Sequence, residues 1–89
     1  MPLNKNALLR YRVLDRCLRV QGRLWSLEEL QTRCNEAMRA CTGMEISKRT
    51  VQNDLQFLRS SSPGFAAPIV VRERKYYTYG ELGYSIFRQ

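Results

Sequence analysis

Arg49, Gln52, Asn53 and Gln56 recur at three- and four-residue intervals. On an α-helix that spacing puts them on one face. Their end groups suit the edges of base pairs. A guanidinium can donate to guanine O6 and N7, and a carboxamide can pair with adenine N6 and N7. No acidic residue falls in this arc, and Asp54 points away, toward the apolar side. A solvated helix face usually mixes Glu with Lys, so this composition favours a face that reads bases. Ser47, Lys48 and Thr50 stand where the same helix begins. Its free N–H groups and positive dipole end attract an anion there. The plainer alternative, Ser47 as a cap and Lys48 in solvent, is compatible with a phosphate contact. Farther along, Arg72, Arg74 and Lys75 surround a short turn. They could lie along a phosphate backbone or a minor groove, or could be a solvated turn.

These residues need a scaffold. Ser47 is a good N-cap, and the helix it starts runs to about Arg59. Val51, Leu55 and Leu58 make its buried stripe, with Ile46 just before the cap. Ser60-Ser61-Ser62-Pro63-Gly64 then reads as a loop. Upstream, Ser26-Leu27-Glu28-Glu29 fits a capping box, with Trp25 placed to staple against Leu30. Leu27, Leu30, Cys34, Ala37, Met38 and Cys41 form an apolar arc over about fourteen residues, ended by Gly43. A first helix spans about Asn6 to Gln21, with Gly22 as its stop. Ala7, Tyr11, Val13, Leu14, Cys17 and Leu18 gather on one side of it. Arg12, Arg16, Arg19 and Arg23 gather on the other, a stripe that reads first as a solvated face.

Ile69-Val70-Val71 and Tyr76-Tyr77-Thr78-Tyr79 are β-branched and aromatic, and they read as a hairpin with a charged tip. The tip lacks Asn-Gly, so the register stays open. Tyr76, Tyr77 and Tyr79 alternate faces and cannot all be buried. The tail Tyr84-Ser85-Ile86-Phe87 is too apolar for a free end. It either packs on the domain or begins something further.

Eighty-nine residues make one domain. Such a chain buries about 60–65% of the surface its unfolded form exposes, which leaves little room for a deep substrate pocket. Fifteen Lys and Arg against eight Asp and Glu give +7. That balance points to a polyanion partner, without choosing among DNA, RNA and an anionic membrane. Histidine is absent, which removes the commonest general base and the commonest metal ligand. Cys17, Cys34 and Cys41 form no C-x-x-C pair, so no metal site and no cofactor is expected. Each falls on an apolar helix face and reads as a small core residue. No apolar run approaches the roughly 20 residues that span a bilayer. The expected location is therefore cytoplasmic, with no membrane partner. With no phosphate loop of P-loop spacing and no visible nucleophile–base pair, the chain does not read as an enzyme.

The run Ile46-Ser47-Lys48-Arg49-Thr50-Val51-Gln52-Asn53-Asp54-Leu55 resembles the signature of DeoR-like and WYL-domain bacterial transcriptional regulators. Arg12-Val13-Leu14-Asp15, Trp25-Ser26-Leu27-Glu28-Glu29-Leu30 and Pro68-Ile69-Val70 also resemble the N-terminal domain of WYL-type regulators. The resemblance implies an α+β, mainly α fold: a three-helix winged helix-turn-helix with a C-terminal β-hairpin wing. It implies double-stranded DNA as partner and a homodimer in the full-length protein. Ser47, Arg49, Thr50, Gln52 and Asn53 then fall on DNA-facing positions. Residues 1–80 would form the DNA-binding domain, and residues 81–89 would start a linker to a missing C-terminal effector domain. The alternative is a winged-helix protein-interaction or oligomerisation module without specific DNA binding. RNA is a weaker option, because the aromatics form no RNP-like strand signature.

Overall fold

In the computed structural model, which describes residues 5–61 and 64–87, helix α1 (Lys5–Leu18) buries Ala7, Tyr11, Leu14, Cys17 and Leu18 along one stripe. Val13 is only partly buried against this core. The helix stops at the last residue of its apolar stripe, about a turn before the expected end at Gln21. Val20 N–H bonds Cys17 O at 3.1 Å, an i→i−3 contact that tightens the end. Gly22, at φ +75°, then serves the following turn rather than capping the helix directly.

Strand β1 (Trp25–Ser26) leads straight into α2 (Leu27–Cys41). The capping box is present as the sequence indicates. Ser26 Oγ accepts from Glu29 N–H at 3.2 Å, and Glu29 Oε1 accepts from Ser26 N–H at 2.9 Å. Leu30, Cys34 and Met38 are buried, whereas Leu27 and Ala37 are half-buried. Cys41 is exposed, which corrects its reading as a core residue. It is the last residue of α2, where the apolar arc outruns the core beneath it.

The connector to the next helix is held by side chains. Asn35 Oδ1 accepts from Ile46 N–H at 2.7 Å, while Asn35 Nδ2 and Gln31 Nε2 both donate to Ile46 O. This grip on one residue fixes how α3 (Lys48–Arg59) leaves α2. Ser47 caps α3, its Oγ accepting from Thr50 N–H at 3.2 Å. Val51, Leu55 and Leu58 fill the core as the pattern requires. Asp54 is buried too, and takes a bidentate contact from Arg10 of α1 at 2.6 and 3.1 Å. Tyr11, Phe57 and Phe65 form an aromatic cluster beside it, with centroids 5.8 to 6.2 Å apart.

The segment after α3 turns tightly at Ser61 and Gly64; Ser62 and Pro63 of the expected loop lie outside the described residues. A Cβ on Gly64 would stand 2.3 Å from Phe57 O, so only glycine fits. Strands β2 (Ile69–Arg72) and β3 (Tyr76–Tyr79) then form the expected hairpin. Its register pairs Ile69 with Tyr79 and Arg72 with Tyr76. The sheet has a third member that the sequence does not announce. β1 pairs antiparallel with β3, Trp25 opposite Tyr77, giving the order β1-β3-β2.

The tail packs on the domain. Ile86 is 2% exposed and belongs to the core. It is anchored through Asp15 of α1, a carboxylate only 3% exposed. Asp15 accepts from the Tyr79 hydroxyl at 2.6 Å, the Ser85 hydroxyl at 2.7 Å and Ile86 N–H at 3.1 Å. Arg19 Nε lies 3.4 Å away. Three helices with an antiparallel hairpin after them make a winged helix, the fold expected from the sequence.

Candidate nucleic-acid interface

The outer face of α3 carries Arg49, Gln52, Asn53 and Gln56, all exposed. Opposite them stands Tyr77 of β3. Together with Arg59 and the buried Leu55 as floor, these residues bound a groove of about 420 Å³. No acidic side chain lines it. The helix does contain one acid, but Asp54 is turned inward and held by Arg10. That hydrogen bond raises the Arg10 guanidinium further above its ordinary value, against the opposing effect of burial. The pair therefore removes one negative charge from α3's outer surface and keeps a positive one inside.

The start of α3 is already occupied by its own chain. Ser47 Oγ is engaged with Thr50 N–H and lies 3.2 Å from Thr50 Oγ1. Lys48 Nζ reaches back to Glu28 Oε2 of α2 at 2.7 Å. The Lys48 hydrogen bond is the main reason the Glu28 carboxyl sits below its ordinary value. Both partners are exposed, so an incoming phosphate can displace Glu28 at small cost.

The wing does not act as one block. Tyr77 shares a sheet face with Ile69, Val71 and Tyr79, on the side toward α3 and the core. Arg72 lies on the other face, beside Thr78, in a hollow it shares with Arg19, Arg23 and Glu81. The structure thus brings Tyr77, not Arg72, to the α3 groove. Arg74 and Lys75 are exposed at the tip, with Lys75 Nζ 5.3 Å from the centre of the Tyr76 ring. Glu73 and Arg74 both adopt positive φ, +51° and +63°, and Lys75 N–H bonds Arg72 O at 3.1 Å. These are the signs of a hairpin turn of the primed kind, formed without its usual Asn or Gly.

Two groove residues escaped the sequence reading. Arg59 continues the spacing of Arg49, Gln52 and Gln56 by three residues, and that step would have revealed it. Tyr77 could not be singled out among the hairpin tyrosines without the register.

Arg10, Arg19, Arg23, Arg33, Arg39 and Lys48 each have a carboxylate partner. Arg49, Arg59, Arg72, Arg74 and Lys75 of α3 and the wing have none among the described residues, and neither have Lys5, Arg12 and Arg16 of α1. Cations left unpaired beside a groove of amide and guanidinium donors can attract and orient a polyanion. Among the described residues, no group of three or more His, Cys, Asp or Glu side chains could hold a metal ion. No helix among them is long and apolar enough to cross a membrane.

Comparison with curated proteins and with solved structures yields no match. The family model described as "WYL domain-containing protein, N-terminal winged helix domain" matches residues 6–80. That span takes in α1 from its second residue, the capped helices, the α3 groove and the wing. With the fold and that match in agreement, the chain belongs to the family of N-terminal winged helix domains of WYL domain-containing proteins.

Proposed function

We propose that this domain recognises specific sequences in double-stranded DNA, as the DNA-binding part of a bacterial, cytoplasmic transcriptional regulator. The observation that carries the reading is the acid-free outer face of α3. Arg49, Gln52, Asn53 and Gln56 have no side-chain partners among the described residues, and Arg59 and Tyr77 close the groove around them. In this reading α3 lies in the major groove. The helix start, with Ser47, Lys48 and Thr50, meets one phosphate run, and Arg74 and Lys75 of the wing meet another. Arg72 serves the backbone from the outer face of the wing. One domain covers one half-site. A homodimer of the full-length protein would span two half-sites about 34–36 Å apart.

Selection of bound duplexes from a random pool tests the proposal. A defined enriched motif is the expected result; a flat outcome would sink it in favour of a protein-interaction module. Arg49→Ala is expected to cost roughly 1–3 kcal/mol and to relax discrimination at one base pair. Lys75→Ala is expected to weaken all sequences alike and to flatten the salt dependence. Competition titrations at several salt concentrations separate the two effects.

A further inference from the structure

A second groove lies between α1 and α2, about 500 Å³ in volume. Val13 and Cys17 of α1, Val20 just beyond it, and Ala37 of α2 form its walls, with Trp25 beneath. It shares no lining residue with the α3 groove. We propose that this cleft docks a short acidic segment of a partner protein, which places an apolar side chain against Trp25 and carboxylates on Arg16 and Arg33.

The apolar half of the argument rests on the walls. Val20, an apolar side chain, is 44% exposed at the mouth. Cys17 adds no charge, because burial pushes its thiol up and keeps it neutral. Trp25 is 4% exposed, and its Nε1 is the sole buried side-chain nitrogen or oxygen without a hydrogen-bond partner among the described residues. A buried donor left unmade is costly. Tryptophan and arginine together are also the residues that most often dominate the energetics of protein interfaces.

The charged half rests on the rim. Arg16 has no ion pair among the described residues, and Arg12 extends the same positive strip along α1. Arg23 and Arg33 stand over the Trp25 ring, at 3.7 and 5.8 Å from its centre. The one acid in the cleft, Glu36, is engaged with Arg33 at 3.2 Å. That pair leaves Arg16 as the uncompensated charge of the lining, and both of its members are exposed, so a ligand carboxylate can compete with Glu36 for Arg33.

The same bookkeeping argues against a second copy of this chain as occupant. Asp15, Asp54, Glu28, Glu29, Glu36 and Glu45 are already in ion pairs. The other two acids, Glu73 and Glu81, are set among arginines: Glu73 stands between Arg72 and Arg74, and Glu81 shares a hollow with Arg19, Arg23 and Arg72. A second copy would bring mainly more positive charge. A duplex fits poorly as well, since a phosphodiester rail would follow exposed guanidinium groups and leave the apolar walls uncovered. An amphipathic acidic peptide satisfies walls and rim together.

Trp25 is the chain's one tryptophan, so its emission reports occupancy of the cleft. The chain is titrated with a synthetic amphipathic peptide of glutamate and leucine, and with its lysine–leucine counterpart. Saturable change with the acidic peptide alone is expected. Arg16→Glu and Val20→Glu should each weaken it by at least about tenfold, near 1.4 kcal/mol. Both variants should keep their circular dichroism and their affinity for duplex DNA. Equal response to the two peptides, or none, would overturn the proposal. So would displacement of the acidic peptide by duplex DNA, or a dimer in sedimentation that Val20→Glu abolishes. Failure of DNA selection would leave this titration untouched, so the two readings fail separately.

Discussion

Asp15 gives up water and recovers three hydrogen bonds and a nearby guanidinium. A buried carboxylate is tolerable only with such a set of donors. The Tyr79 phenol in turn sits above its ordinary value of 10.0, first because it is buried and then because it donates to Asp15. For a group raised on folding, the stabilisation is complete below pH 10.0 and falls as the pH rises above it. Tyr79→Phe is expected to lower stability by about 1.5–3 kcal/mol at neutral pH and to flatten the alkaline decline. Denaturant unfolding between neutral and alkaline pH measures both. An unchanged alkaline slope would show that the Tyr79–Asp15 bond is not its source. None of this was legible in the sequence. Asp15 looked like one more charge on an amphipathic helix, because its donors come from the far end of the chain.

Elements closed by local bonds were easier to read. The Ser26–Glu29 box lies within one turn, as does the Ser47 cap, so residue types at fixed spacing sufficed to place α2 and α3. The outer face of α3 was legible for the same reason, and only its continuation to Arg59 was missed. β1 was not legible, because two residues cannot show alternation and their partners, Tyr76 and Tyr77, lie in another element. The end of α1 was placed too late, since Gly22 was taken as its stop, whereas the i→i−3 bond from Val20 to Cys17 closes it sooner. The capping box also titrates. Glu29 lies below its ordinary value of 4.5, chiefly through the Ser26 N–H. Its contribution to α2 is therefore fully present above pH 4.5 and is lost as the pH falls through the lower folded value. Acid titration of helicity should show a transition that Glu29→Gln removes; an identical titration in that variant would refute the assignment.

At the scale of the molecule, burial sorts the three cysteines. Cys17 and Cys34 are buried and Cys41 is exposed. Burial raises both buried thiols, Cys34 to about 12, so neither offers a thiolate at neutral pH. Native alkylation followed by mass spectrometry should therefore label Cys41 alone, with all three labelled after unfolding. Rapid native labelling of Cys34 would contradict the packing.

The Asp15 contacts also set an order of events in time. Ser85 and Ile86 stand 70 and 71 positions beyond the carboxylate they complete. A chain made from its N-terminus forms α1 early, when Asp15 has no distant donors and must remain in water. The α1 stripe can be sealed only after the wing has turned and the segment beyond it has arrived. Folding of this domain thus finishes with Ser85 and Ile86, and a nascent chain ending at Gly80 would carry a complete α3 on an unlatched core.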